Sequence, residues 1–370
     1  MNPITPVFEK NNIAICFSTD NNFVPYLAVV MQSLVHNISQ FNNYDIVILE
    51  ENLTDFHKKD FFKYSRENVS IRFINMTSYM ESYKDVWYIH NWGKKWHSLS
   101  VYYRFFIPEI FKEYQKVVFL DGDIIINIDI AELYNVDLKE NLVGAVQDFA
   151  RNIKNDAIAE YSEKVLDVDR KKYFNAGVLV FNLKKLTKIK FLDNCIKTLQ
   201  EIGRPKLQDQ DILNIVLKDQ VLYLNNAYNC LFWSILHGRS NAKELLDSEL
   251  YSLWEEMAKN PKIFHYAGSR KPWSEPNLEY ATYFWSYARQ TPFYEEILGR
   301  MIDFKISQRQ NQNIFQNYPS MFFLNAKKII YKIKKLFSKG EKRKKYKMKY
   351  KKVKSIIKEA KKFKKNLFKI

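Results

Sequence analysis

The sequence predicts an α/β protein: a mixed, mostly parallel sheet flanked by helices, followed by a basic, helical C-terminal tail. Three observations carry this. Strand-like apolar runs alternate with helix-like runs along the first 120 residues. The fourth such strand, in VVFLDGDIII at 117–126, ends in two aspartates. The excess positive charge is confined to the last stretch of the chain.

At 370 residues, with 46% hydrophobic and 16% aromatic content, the chain supports one large domain with appendages. Its net charge of +17 is uneven: residues 326–370 hold 21 of the 58 Lys+Arg and two of the 41 Asp+Glu, a net of +19, which leaves −2 for the rest. A near-neutral body makes nucleic acid an unlikely main partner, and contact with polyanions is expected of the tail alone. Cys16, Cys195 and Cys230 lie far apart with no CxxC pair, which suggests neither a disulfide framework nor a zinc site and favours reducing cytosol. The opening residues lack a basic run followed by an apolar one, and no stretch approaches the roughly 18 apolar residues of a spanning helix.

Taken in order, IAICFS (13–18) reads as a buried strand, followed by TDNN and by YLAVVMQSLVHN, where Leu27, Val30, Met31 and Leu34 recur at helical spacing. YDIVILE is a second strand, LTDFHKKDFFKYS a helix capped near Thr54, and VSIRFIN a third strand. That rhythm belongs to a parallel sheet with crossover helices. KVVFLDGD is the fourth strand, and its carboxylates fall at its C-terminal end, where open α/β sheets bind ligands. Downstream come LVGAVQD (strand), FNAGVLVFNLKKL (turn, strand, helix start), QDQDILNIVLKD (helix) and QVLYLNN (strand). Residues 280–318 are aromatic-rich and expected to be helical, and Ile329, Ile330, Ile333, Leu336 and Phe337 keep a helical stripe within the tail.

Residues i and i+2 of a strand share a face, so Asp121 and Asp123 can point the same way, and Gly122 lets a ligand approach the backbone. Two hard oxygen donors suit Mg²⁺ or Mn²⁺ together with substrate phosphates. A bare D-x-D reads more readily as a turn with two solvated aspartates. A second stretch changes the balance: KIFHYAGSRKPW (262–273) is an apolar strand ending in His265, followed by Gly268 and Lys271. Imidazole beside two carboxylates makes a mixed N/O site that favours a transition metal such as Mn²⁺ over Ca²⁺. Lys271 supplies a compact charge suited to phosphate.

FSTDNN, YYRFFIPEI with VVFLDGDIII, FNAGVLVFNL, LQDQDILN and FHYAGSRKPW stand in the order and style of glycosyltransferase family 8. The chain most resembles its bacterial lipopolysaccharide galactosyl- and glucosyltransferases. The likeness runs from about 12 to 273 and fades between 79 and 96. It implies a GT-A fold, Rossmann-like, over a catalytic domain at 1–278. The remaining organisation is expected to be a helical extension at 279–325 packed on that domain and an amphipathic Lys-rich tail at 326–370. The implied reaction is retaining transfer of a hexose from a UDP-sugar to a glycan acceptor in surface polysaccharide or lipooligosaccharide synthesis.

Residue by residue, the resemblance implies donor contacts at Thr19, Asp20, Asn22 and Arg104. It implies Mn²⁺ (or Mg²⁺) on Asp121, Asp123 and His265, with Gly122, Gly268 and Lys271 at the diphosphate. Asp148, Asn175, Asp209 and Gln210 would grip the hexose. Each has a structural alternative: a helix cap at Asn21 or Asn22, a solvated Arg104, a tight turn at 175–177, an N-cap at Asp209. Gln210 stands where a double displacement needs a carboxylate, and an amide is a poor nucleophile. Front-face attack through a short-lived ion pair is therefore expected, with Asp148 and Asp209 as nucleophiles in a variant scheme. The competing functions are UDP-sugar hydrolysis and polyanion or membrane binding through the tail. Trp87, Trp92 and Trp96 read either as an acceptor-side platform or as core. The tail, including Ile356, Ile357, Phe363, Leu367 and Phe368, is expected to meet a lipid-linked acceptor at the anionic inner face of the cytoplasmic membrane.

Overall fold

The computed structural model describes residues 3–87, 98–152, 157–231, 243–244, 246–278, 280–317, 321–336 and 338–367. Contacts divide the chain into two compact units, Met1–Leu298 and Gly299–Ile370.

The first unit contains nine described strands: β1 (Asn12–Thr19), β2 (Asn43–Glu50), β3 (Val69–Asn75), β4 (Lys116–Leu120), β5 (Ile124–Ile126), β6 (Val143–Gln147), β7 (Phe174–Asn182), β8 (Val221–Tyr223) and β9 (Ile263–His265). Seven of them form one sheet in the order β3-β2-β1-β4-β7-β6-β8. The first four are parallel neighbours, β7 runs against both β4 and β6, and β8 is parallel to β6. β1 and β2 are buried almost throughout, as continuous apolar runs must be when both faces of a sheet are covered. On one flank the helix Val24–Asn37 buries Leu27, Val30, Met31 and Leu34, the stripe read from its spacing. The 3-10 helix Leu99–Phe106 adds Tyr102, Tyr103, Phe105 and Phe106 to the core.

Local chemistry explains where the elements begin. The helix Asp55–Phe62 is capped by Thr54, whose hydroxyl accepts from the His57 N–H at 3.3 Å. The first helix is capped differently from the expectation at Asn21 or Asn22. Phe23 occupies the cap position, and Asp20 Oδ1 accepts from the N–H groups of Asn22 (2.9 Å) and Phe23 (3.0 Å). FNAG is no turn: β7 already includes it, because β6 continues pairing to Phe174 after a register shift between Ala145 and Val146. Asp209 is not an N-cap either. Gln208, at φ 50°, fills that position, and Asp209 is the first residue of the helix Asp209–Val216.

Trp87 belongs to the packing. It stacks on Tyr102 with centroids 5.2 Å apart, and its indole N–H donates to the Met80 carbonyl at 2.8 Å. Trp92 and Trp96 lie outside the described residues. After β4 the chain turns through Asp121–Asp123 into β5, which pairs antiparallel with β9 and sets Ile124 opposite His265. This small ribbon brings the two sequence-distant stretches of the site together.

In the second unit, the helices Met321–Leu336 and Gly340–Leu367 pack on each other, with Tyr331 stacked on Tyr346 and Val353 and Ile357 buried beside Tyr331 and Ile356. Ile357 therefore fills the seam between these helices instead of facing an interface, because it shares one helical face with Val353. Ile329, Ile330, Ile333 and Leu336 remain exposed. Phe337 and Phe368 lie outside the described residues. No described helix is long and apolar enough to cross a membrane.

Candidate active site

At the carboxyl end of β4, Asp121, Asp123 and His265 bring three ligand atoms within 4.8 Å of one another. His265 Nε2 lies 3.2 Å from Asp123 Oδ1 and 3.7 Å from Asp121 Oδ2. The backbone holds both aspartates in place: the Asp121 N–H donates to the Gly177 carbonyl at 2.8 Å, and Tyr266 N–H donates to the Asp123 carbonyl at 2.9 Å. Two carboxylates and an imidazole converging on one point fit a divalent cation with borderline preference. Lys271 Nζ contacts Asp123 Oδ2 and donates to the Tyr266 carbonyl at 2.6 Å. Burial alone would raise the Asp123 carboxyl, but Lys271 and His265 outweigh it and hold it well below the usual carboxylate range.

Arg104 joins this group to the next one. Its guanidinium is buried, not solvated, and lies over the Phe119 ring at 4.3 Å. Nη2 donates to Asp121 Oδ1 at 2.9 Å and Nε meets Asp209 Oδ2 at 3.1 Å, while Nη1 donates to the Ala176 carbonyl. Burial pushes the Asp209 carboxyl up to about 7, against the pull of Arg104. Beside it, Gln210 Oε1 accepts from Asn175 Nδ2 and from the Ala176 N–H, both at 3.0 Å, and Gln210 Nε2 donates to Asp148 Oδ2 at 3.0 Å.

The remaining predicted residues sit along the same sheet edge. β1 and β4 pair Phe17 with Leu120, so Thr19 and Asp20 emerge beside Asp121. Thr19 is buried and donates to the Asp20 carbonyl at 3.2 Å, and Asn22 is exposed just beyond the Asp20 turn. Gly122 leaves room for Phe23, since a Cβ there would fall 3.0 Å from two of its ring carbons. Phe23 is edge-on to Trp273, which stacks on Tyr26 at 4.1 Å. Gly268, at φ 79°, is exposed in the loop between His265 and Lys271.

Two residues of the site escaped the sequence reading. At Gly177 a Cβ would fall 2.2 Å from His265 Cε1 and 2.7 Å from Asp121 Oδ2, so this strand position has no room for a side chain. FNAG contains that glycine, but its partners are remote in sequence. Asn229, wholly buried, sets its Oδ1 2.8 Å from His265 Nδ1 and carries no motif signal at all.

The family model for glycosyl transferase family 8 matches residues 14–276. The chain belongs to glycosyl transferase family 8. Among its family relatives, the lipopolysaccharide 1,2-glucosyltransferase of Escherichia coli K12 is 24% identical over 277 residues, 72% of this chain and 75% of that one. Among solved structures, the bifunctional glycosyltransferase WbbM superposes with a TM-score of 0.67 at 28% identity, over 81% of this chain and 53% of WbbM. The galactosyltransferase LgtC, solved with donor and acceptor sugar analogues, gives 0.61 at 23% identity, over 76% of this chain and 96% of LgtC. This family 8 chain thus spans about half of WbbM, and 62% of a Haemophilus influenzae relative to which it is 29% identical. The expected GT-A fold is present: a mixed, mostly parallel sheet flanked by helices.

Proposed function

We propose that this family 8 glycosyltransferase moves a hexose, galactose or glucose, from a UDP-sugar to a glycan acceptor with retention of configuration, in bacterial surface polysaccharide or lipooligosaccharide synthesis. Mn²⁺, with Mg²⁺ as substitute, would sit on Asp121, Asp123 and His265. The observation that carries this reading is Arg104, whose single buried guanidinium binds both Asp121 of the cation group and Asp209 of the group assigned to the hexose. A nucleotide-sugar presents its diphosphate and its hexose side by side, and a site for it needs both groups at one edge. The names of the E. coli and LgtC relatives, a glucosyl- and a galactosyltransferase, support the same substrate class.

When bound, the cation supplies positive charge to the departing diphosphate. Lys271 adds a second charge from its seat on Asp123 and the Tyr266 carbonyl, and Gly268 keeps the loop backbone open to phosphate. Gln210 has both polar atoms engaged, with Asn175 and Ala176 on one side and Asp148 on the other. It is suited to orient the ring rather than to bond with it. Asp209 is turned to Arg104. These placements favour front-face attack through a short-lived ion pair: the bond from the anomeric carbon to the phosphate oxygen breaks, the acceptor oxygen bonds to that carbon on the same face, and the departing phosphate oxygen takes the acceptor's proton. UDP release from UDP-Gal, UDP-Glc and UDP-GlcNAc, with and without a glycan acceptor, tests the reading. Acceptor-dependent release with an α-linked product by NMR is expected. Release indifferent to acceptor would make the protein a UDP-sugar hydrolase, an inverted product would remove retention, and a trapped glycosyl-enzyme adduct would remove front-face attack.

The tail is proposed to hold the protein at the anionic inner face of the cytoplasmic membrane, where a lipid-linked acceptor would lie. Each Lys near such a surface contributes up to about 1 kcal/mol. The exposed Ile329, Ile333 and Leu336 favour lipid over RNA, on which they would be idle. Truncation after Asn325 should leave transfer to a small soluble acceptor intact and abolish sedimentation with anionic vesicles. Equal vesicle binding by both forms would show that the tail is not the anchor.

A further inference from the structure

We infer that Asn229 is a positioning residue that fixes the His265 ring in its cation-binding tautomer and ties it to the amides assigned to the hexose. This rests on the metal-dependent reading above. Asn229 follows the 3-10 turn Asn226–Tyr228, and its neighbour Cys230 is bonded to the strand that carries His265: Cys230 N–H donates to the Ile263 carbonyl at 2.9 Å, and His265 N–H donates to the Cys230 carbonyl at 3.1 Å. The backbone thus holds the Asn229 side chain directly against the imidazole.

The direction of every hydrogen bond in the chain that follows is forced. The Ala176 N–H can only donate, so Gln210 must turn Oε1 toward it and toward Asn175, which leaves Nε2 for Asp148 Oδ2. Asn175 must then present Nδ2 to Gln210 and Oδ1 to the Gly177 N–H at 2.9 Å, a second backbone check. Asn175 Oδ1 also receives Asn229 Nδ2 at 2.9 Å, which leaves Asn229 Oδ1 facing His265 Nδ1 at 2.8 Å. An oxygen can only accept there, so Nδ1 keeps its proton, and Nε2, which faces Asp121 and Asp123, is the nitrogen that gives up a proton when a cation binds. Partners of this kind on metal-ligating imidazoles fix the tautomer and typically contribute 10- to 100-fold to metal affinity.

Mn²⁺ titration of the full-length protein without nucleotide, by EPR or calorimetry, provides the test. Asn229→Ala should weaken Mn²⁺ binding about 10- to 100-fold. Asn229→Asp keeps an acceptor for Nδ1 but has no N–H for Asn175. It should bind Mn²⁺ nearly as the native protein does, yet turn over UDP-hexose more slowly. A residue that only fills space would lower both properties in both variants, in step with melting temperature. Native Mn²⁺ affinity in Asn229→Ala, or an equal loss in Asn229→Asp, would overturn the inference while leaving the transferase reading in place. A native protein that takes up no Mn²⁺ would overturn the metal reading and the inference together.

Discussion

Asp123→Ala is expected to lower the proposed hexose transfer by roughly 10³-fold or more, with EDTA doing the same to the native protein. One Asp123 oxygen faces His265 Nε2 at 3.2 Å and the other meets Lys271, so the substitution removes a proposed cation ligand and releases the lysine in one step. A pH signature should accompany the loss. The Asp123 carboxyl is held below its unfolded value by Lys271 and His265 in spite of burial. Its contribution to stability is therefore present above its unfolded pKa, about 4, and is lost as pH falls through the lower folded value. In metal-free protein, the melting temperature of the variant should lie below that of the native chain at neutral pH, and the gap should close under acid conditions. UDP release and thermal melts across pH measure both effects. Full activity in EDTA would sink the cation site.

Gly177→Ala should be nearly as damaging, for a steric reason. The added methyl would stand 2.2 Å from one atom of the His265 ring and 2.7 Å from an Asp121 oxygen, distances at which something must move. β7 is held between β4 and β6, so the ligands yield before the strand does. The expected outcome is a fold weakened by about 1–3 kcal/mol, with cation affinity and transfer falling together. Gly299→Ala is the control, because a Cβ there meets nothing within 4 Å. An alanine at 177 with native Mn²⁺ affinity would show that the ligands tolerate displacement.

The first three strands and the helices between them were legible because their signals are local: apolar runs, helical spacing and the Thr54 cap. The charged ends of VVFLDGD and KIFH were legible because buried carboxylates and a strand-terminal histidine are costly without a purpose. What escaped depends on neighbours far along the chain. The need for glycine at 177 arises from His265 and Asp121, and the orientation of Asn229 follows from a chain of bonds that begins at Asp148. Arg104 is singled out by the resemblance as a donor contact, but its partners Asp121, Asp209 and the Phe119 ring are visible only once the chain has folded around it. FNAG looks like a turn because its composition is that of a turn, while its pairing with β6 makes it strand. The split between Leu298 and Gly299 falls inside one helix, Tyr294–Asn317, which no composition shift announces.

The β5–β9 ribbon bears on how the protein is made. Strands β1 to β4 draw on the first third of the chain and can pair as soon as that portion leaves the ribosome. His265 takes its place opposite Ile124 only after Ile263 has been synthesised and has found Ile126, a long-range closure that is slow compared with local pairing. A nascent chain arrested before β9 would hold much of the parallel sheet and both aspartates, but not the imidazole. Arg104 could still pair with Asp121, but Asp123 would have neither His265 nor Lys271 to offset it. Mn²⁺ uptake by chains released at successive lengths should therefore rise in a single step, and that step dates the moment at which synthesis yields a working centre.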